Sequence, residues 1–547
     1  MLEGFVPFPP EFQAKYREKG YWRNKSLRDE FAEVFAKYAD KVAIIDGDRR
    51  LTYGELDAVS TNLALNLLDL GLRPLDRVVP QLSNVLEFPI LYFALQKIGC
   101  IPIASLVTHR YAEISQFVQL SGAVACVTPD AHRDFSFTDM VTRVRDENET
   151  LKFGIVLGDA PEGFASLTDL IETPATRPAS DLDDIHIDPT DPAMFQLSGG
   201  TTGIPKLIPR THNDYAYNSR TASEVTELGE DSVLLLVLPI AHNLPLACPG
   251  LQGTLFRGGS VVLSNVPLSG NVFHLVEKHA ITHIHVVPAL LIAWINDPEI
   301  VKYDLSSLKM IQSGGQRLQP EVRTKTKDLI PSVFVQENFG MSEGVIMFIR
   351  PGDPEDVRLH TSGRPICPDD EVRLLDEDDN EVANGEVGEF CVRGPYTLRG
   401  YFGTPEHNAR AFTSDGFYRS GDLLRRHPSG NYIVEGRKKD LINRGGEKIS
   451  AEEVENLILQ HPAVKNVACV PMPDERLGER MCAYVIPQAG ATVAFDDLIS
   501  FLSSKEIAKF KLPERLELLD DFPVSTFGKV SKKILGEWIT EKISQES

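Results

Sequence analysis

Residues 197–206 read LSGGTTGIPK and follow the strand-like run AMFQ at 193–196. Glycines such as Gly199 and Gly200 let the backbone turn with positive φ and present consecutive N–H groups. Ser198, Thr201 and Thr202 add hydroxyl donors, and Lys206 adds a positive charge. A strand that feeds such a loop suits a polyphosphate. It is not a Walker A loop, because Leu207 follows the lysine where that motif requires Ser or Thr.

Outward from this loop, strand-like runs alternate with amphipathic stretches. VAIID (42–46), VVLSN (261–265), ITHIHVVP (281–288) and LKMIQSGG (308–315) read as strands, and 56–70 and 320–329 read as helices. The alternation predicts an α/β fold with largely parallel sheets. The composition shifts at EGRKKDLINRGG (435–446), which is basic in an otherwise acidic chain. After it, helix 451–461, strand 465–473, strand 481–488 and helix 496–505 predict a small α+β domain joined by a short hinge. The expected division is therefore 1–435 and 436–547.

At 547 residues the chain is too long for one core. Its net charge of −22 argues against nucleic-acid or anionic-membrane binding, since both need a basic face. A small phosphate site built from N–H groups and one lysine is still compatible with that charge. The opening residues lack a basic region followed by an apolar core, and no apolar run approaches the ~20 residues of a membrane span. A cytoplasmic protein is expected. The seven cysteines are scattered without a CxxC pair, which predicts free thiols rather than a zinc or redox motif.

Further motifs stand in a fixed order: LTYGELD (51–57), the glycine loop, NFGMSEG (338–344), GEFCVRGPYTLRGYF (388–402), FYRSGDLL (417–424), GRKKDLINRGGEKISAEEVE (436–455) and PVSTFGKVSKK (523–533). Together they resemble the adenylate-forming superfamily of acyl-CoA synthetases, nonribosomal-peptide adenylation domains and firefly luciferases. The resemblance implies a large multi-subdomain N-terminal domain and a small mobile C-terminal one. It implies ATP and Mg²⁺ as cofactors, with Glu343 holding the cation, a hard ion that wants carboxylate oxygen. Ser198, Gly199, Gly200, Thr201, Thr202, Lys206, Gly315, Phe339 and Gly340 would line the nucleotide, Phe339 stacking on adenine. Asp422 and Arg437 would hold the ribose. Lys529 would reach the substrate carboxylate and the α-phosphate, offsetting repulsion between two anions. Lys439 matches the hinge, and Gly445 and Gly446 would approach a pantetheine arm.

PIAHNLPLACPG (239–250) resembles the stand-alone aryl-acid adenylating enzymes of siderophore synthesis. His242 would gate the carboxylate, and Asn243 would bond the ring 2-hydroxyl. Cys248 stands where a serine goes with 2,3-dihydroxybenzoate and a cysteine with salicylate, so salicylate is expected first and 2,3-dihydroxybenzoate next. Gly314 and Ile346 would border the acid. Gln316 departs from the usual alanine and leaves another hydroxyaryl acid, such as a hydroxylated pyridine, open. The implied acceptor is the phosphopantetheine thiol of a separate aryl carrier protein, because no carrier attachment signature is present. An aryl-CoA ligase is the rival reading.

Overall fold

A computed structural model describes residues 2–132, 135–198, 206–445, 447–474, 476–505, 507–524 and 530–546. The chain divides into two compact units, Met1–Glu371 with Val392–Tyr418, and Val372–Cys391 with Arg419–Ser547.

The first unit holds a nine-stranded sheet. Its six parallel strands run in the order Phe334–Met341, Met310–Ser313, His283–Val286, Val233–Leu236, Ser260–Leu263, Val42–Asp46. Antiparallel strands close both edges: Gly344–Phe348 and Arg364–Pro365 at one, Arg49–Thr52 at the other. The run VLLL at 233–236 is nearly all buried, as expected for a strand covered on both faces. One face packs Leu235, Ile284, Ile311 and Val335 against Phe273, Val276, Leu291 and Trp294. A second, parallel sheet has the order Ile101–Pro102, Arg77–Pro80, Ala125–Pro129, Phe153–Leu157, Ala165–Ser166. An antiparallel hairpin, Pro192–Leu197 with Leu207–Thr211, carries the glycine loop.

Capping explains one of the motifs. In LTYGELD, Thr52 ends a strand and begins helix Tyr53–Leu70; Glu55 N–H donates to its Oγ1 at 3.1 Å, and Thr52 N–H donates to the Glu55 carboxylate at 2.8 Å. Thr211 and Asp214 do the same for helix His212–Val225.

The second unit contains an antiparallel sheet, Glu371–Leu375, Gly388–Arg393, Tyr418–Arg426, Tyr432–Arg437. It also contains a five-stranded sheet with helices Ala451–Ile458 and Phe495–Ser504 on one core and Lys532–Glu546 on another. This unit takes in residues before 436, which the sequence alone assigns to the first domain. Two contacts draw them in: Asp422 pairs with Arg437 across the strands, and Ser450 Oγ donates to the carbonyl of Glu435. The seven cysteines are free and buried. Among the described residues no helix is long and apolar enough to cross a membrane.

Candidate active site

The hairpin pinches the base of the glycine loop. Ser198 N–H donates to Lys206 O at 3.0 Å, and Lys206 N–H donates to Ser198 Oγ at 2.9 Å. Gly199, Gly200, Thr201 and Thr202 lie outside the described residues. Lys206 Nζ sits 5.8 Å from the centre of the Tyr401 ring. Tyr401 in turn donates its hydroxyl to Glu343 Oε1 at 2.8 Å and shares a 2.9 Å hydrogen bond with Tyr418 OH. Burial, and next the Glu343 charge, push the Tyr401 phenol far above its ordinary range, so it stays protonated. Glu343 occupies the turn between Phe334–Met341 and Gly344–Phe348, and its carbonyl accepts from Leu398 N–H at 2.7 Å. Gly344 permits this approach, because a Cβ there would fall 2.6 Å from the Thr397 backbone. One ring thus gathers the lysine of the glycine loop and a carboxylate. A carboxylate beside a lysine is a donor set that fits Mg²⁺, which takes one or two protein oxygens and completes its shell with phosphate and water.

Arg210, wholly buried, ties this turn to a second cluster. Its Nε donates to Asp214 Oδ1 at 2.8 Å, its Nη1 donates to Ser342 O at 3.2 Å, and its guanidinium stands 4.8 Å from the Tyr215 ring centre. Tyr215 OH donates to Asn243 Oδ1 at 2.9 Å and accepts from Gln196 Nε2 at 2.9 Å. That bond fixes the Asn243 amide, leaving its NH₂ as the donor end. His242, half-buried, is the N-cap residue of helix Asn243–Ala247. Cys248 follows, 4% exposed, its Sγ accepting from Asn218 Nδ2 at 3.4 Å. Burial pushes its thiol up to about 11, so it is neutral at physiological pH.

Gly314 ends the strand Met310–Ser313, with its N–H on Val286 O at 3.2 Å. Gly315 has φ +87°, a left-handed conformation that favours glycine. Ile346 is buried and pairs with Gly340; Phe339 is half-buried on the same strand as Gly340. Gln316 is exposed.

In the second unit Asp422, 4% exposed, accepts from Arg437 Nε at 2.7 Å. The two residues expected at the ribose therefore meet each other. Lys439 is exposed in the turn Lys438–Asp440. Gly445 has φ +60° and donates its N–H to Leu477 O at 2.8 Å. Gly446 and Lys529 lie outside the described residues.

Sequence reading missed the roles of Tyr401 and Arg210, although both stand inside the quoted stretches LRGYF and KLIPRTHNDY.

The lysine that closes the glycine loop and the Glu343 carboxylate meet at Tyr401, and Arg210 ties that turn to the Tyr215–Asn243 cluster; the class of protein is the adenylate-forming enzymes. The chain belongs to the AMP-binding enzyme family, whose model matches residues 31–402, and the AMP-binding enzyme C-terminal domain matches 453–529. A salicylyl-CoA synthase / salicylate adenylyltransferase of Streptomyces sp is 44% identical over 99% of this chain and 98% of its own. A 2,3-dihydroxybenzoate-AMP ligase of Bacillus subtilis is 43% identical over 99% of each chain. The apo structure of Mycobacterium smegmatis MbtA superposes with a TM-score of 0.75 at 40% identity, covering 98% of each chain.

Proposed function

We propose that the protein activates a 2-hydroxyaryl acid as its acyl-adenylate and passes the acyl group to the phosphopantetheine thiol of a separate aryl carrier protein, in the cytoplasm and for siderophore synthesis. The observation that carries this reading is the Gln196–Tyr215–Asn243 chain, which presents an oriented amide donor at the start of the short helix that the neutral Cys248 caps. Such a donor suits a ring hydroxyl ortho to the carboxylate. Salicylate is favoured over 2,3-dihydroxybenzoate because a thiol meets a 3-hydroxyl poorly.

In the first half-reaction a carboxylate oxygen attacks the α-phosphorus of ATP. An O–P bond forms, the α–β bridge breaks and pyrophosphate leaves with its electron pair. Mg²⁺, when bound, supplies charge neutralisation on the phosphate oxygens, and Glu343 would hold it. Lys206 binds the phosphates, Tyr401 orients the Glu343 carboxylate, and Asn243 orients the acid. Catalysis is positioning and electrostatics. Lys529 is proposed to bridge the two anions, Asp422 and Arg437 to bind the ribose, and His242 to gate the carboxylate. In the second half-reaction the thiolate attacks the acyl carbon and AMP leaves. A rotation at a hinge near Gly436 and Lys439, bringing Gly445 and Gly446 to the pantetheine arm, is proposed to separate the two steps.

Coenzyme A is the second reading for the acceptor, favoured by the similarity to the Streptomyces salicylyl-CoA synthase. Thioester formation with free coenzyme A and with a holo-carrier protein, run side by side, separates them. Transfer to the carrier at least tenfold more efficient in kcat/KM upholds the proposal, and the reverse order replaces it.

A further inference from the structure

Segment 394–401 clasps the turn at Glu343 and the strand Gly344–Phe348 that follows it. Leu398 N–H donates to Glu343 O at 2.7 Å, the Thr397 backbone lies against Gly344, and Tyr396 OH accepts from Ile346 N–H at 3.3 Å. The carbonyl of Ile346 accepts from Ile366 N–H at 3.0 Å, so Tyr396 holds the other backbone group of the same residue. Tyr396 is wholly buried, and its hydroxyl donates to Asp370 Oδ2 at 2.6 Å. A hydroxyl facing an ionised carboxylate has to donate to it, which leaves its oxygen to accept from the amide. Asp370 thereby fixes the direction of the chain Ile346–Tyr396–Asp370, whose three members all belong to the first unit.

The Asp370 carboxyl is poorly solvated. The residue is half-buried, but its Oδ1 is shut off from water and makes no hydrogen bond. Gly394 closes over it, since a Cβ there would fall 2.1 Å from Oδ1. Its Oδ2 accepts a second bond, from Cys367 N–H at 3.3 Å. Burial pushes the carboxyl up to about 7, and the Tyr396 bond works against that rise. The groups that face it keep their charge state in this range. Burial holds the Tyr396, Tyr16 and Tyr217 phenols above their ordinary range and pushes the Cys367 thiol up to about 11. Asp369 stays ionised, paired with Lys19 at 2.7 Å. Further out, Arg350 faces the Tyr396 phenol, and Arg399, Glu371 and Arg393 face Tyr16.

We propose that Asp370 is a positioning residue that acts through Tyr396 to hold the Ile346 backbone, and with it one wall of the acid pocket. The inference rests on the reading of Ile346 as a border of that pocket. With Asp370 ionised the chain has one direction and Ile346 N–H keeps its acceptor. Once Asp370 takes up a proton its own O–H competes for the Tyr396 oxygen, and the hold on Ile346 loosens. Binding of the acid is therefore tightest above the pH at which Asp370 ionises and weakens below it.

The test is acid-dependent ATP–pyrophosphate exchange by the full chain with salicylate at pH 8 and pH 6. The KM for the acid in Asp370→Asn, an isostere that cannot ionise, should exceed the wild-type value by about three- to tenfold at pH 8 and match it within about twofold at pH 6. His242 is present in both proteins, so the comparison cancels its contribution. Tyr396→Phe should behave alike, and the double variant should add less than about twofold to either single one. The KM for ATP and the Mg²⁺ concentration for half-maximal rate should move less than about threefold, because Leu398 and Tyr401 hold Glu343 by separate bonds. A general loss of packing would shift all three constants at both pH values. Should Asp370→Asn fail to fold, Tyr396→Phe decides by the same criterion. An acid KM within about twofold of wild type at pH 8, or an increase equally large at pH 6, overturns the inference and leaves the aryl-acid reading standing. Absence of exchange with every hydroxyaryl acid overturns the aryl-acid reading, and the same comparison with the acid that does support exchange then decides the role of Asp370.

Discussion

Replacing Tyr401 with phenylalanine removes one oxygen from the junction between the lysine loop and Glu343. The ring, and hence the Lys206 contact at 5.8 Å, remains. What is lost is the 2.8 Å bond to Glu343 Oε1 and the 2.9 Å bond to Tyr418 OH. A hydrogen bond to a charged group contributes ~1.5–3 kcal/mol, and Glu343 is only 9% exposed, so water replaces it poorly. Groups that orient a metal-binding carboxylate typically change metal affinity about 10–100-fold. That corresponds to about 1.4–2.7 kcal/mol, in line with one such bond. The assay is ATP–pyrophosphate exchange titrated with Mg²⁺ at saturating acid. The concentration for half-maximal rate should rise about 10–100-fold in Tyr401→Phe, while the KM for the acid moves less than threefold. Direct Mn²⁺ binding in the presence of a non-hydrolysable ATP analogue should weaken in parallel. A folded variant with unchanged Mg²⁺ and Mn²⁺ dependence would refute the idea that Tyr401 positions Glu343 for the cation.

Tyr215→Phe removes the donor that fixes Asn243 Oδ1 and should raise the KM for a 2-hydroxyaryl acid by about five- to twentyfold, with little change in the KM for ATP. Arg210→Met leaves the buried Asp214 charge without its 2.8 Å partner and should destabilise the first unit by ~3–5 kcal/mol, read as a lower urea midpoint. Cys248→Ser should raise kcat/KM for 2,3-dihydroxybenzoate relative to salicylate by about three- to tenfold, measured by exchange with each acid. His212 and His285, both pushed down to about 3 by burial, take up protons in the unfolded chain near pH 6.5 before they do so in the folded one. Stability should therefore fall as pH drops from about 6.5 towards 3, and His285→Gln should reduce that slope by up to ~1.4 kcal/mol per pH unit, followed as urea midpoints between pH 7 and 5.5.

Much of this was legible in the chain. The helix 320–329 and the strand 42–46 occur as Pro320–Leu329 and Val42–Asp46, because a proline at the first helical turn and a short apolar run are both local signals. Helix Tyr53–Leu70 starts three residues earlier than expected, since Thr52 and Glu55 form a capping box ahead of the first apolar stripe. The glycine loop was legible in composition and its pinched base was not, because the Ser198–Lys206 bonds depend on hairpin register. The Arg210–Ser342 and Tyr401–Glu343 contacts join residues 132 and 58 positions apart, and no spacing rule announces them. Gln316 departs from the usual alanine, yet it is exposed, whereas Asn338 Nδ2, one strand away, is among the buried amide atoms without a partner. Sequence marks a polar residue as unusual at its position; only packing shows whether it faces solvent or a site.

The most direct test of the central claim is acid-dependent ATP–pyrophosphate exchange with purified protein, comparing salicylate and 2,3-dihydroxybenzoate with benzoate. The oriented Asn243 amide predicts exchange with the 2-hydroxy acids and a kcat/KM for benzoate at least tenfold lower. Equal exchange with benzoate, or none with any hydroxyaryl acid, would contradict the account and leave only an adenylate-forming enzyme of another acid.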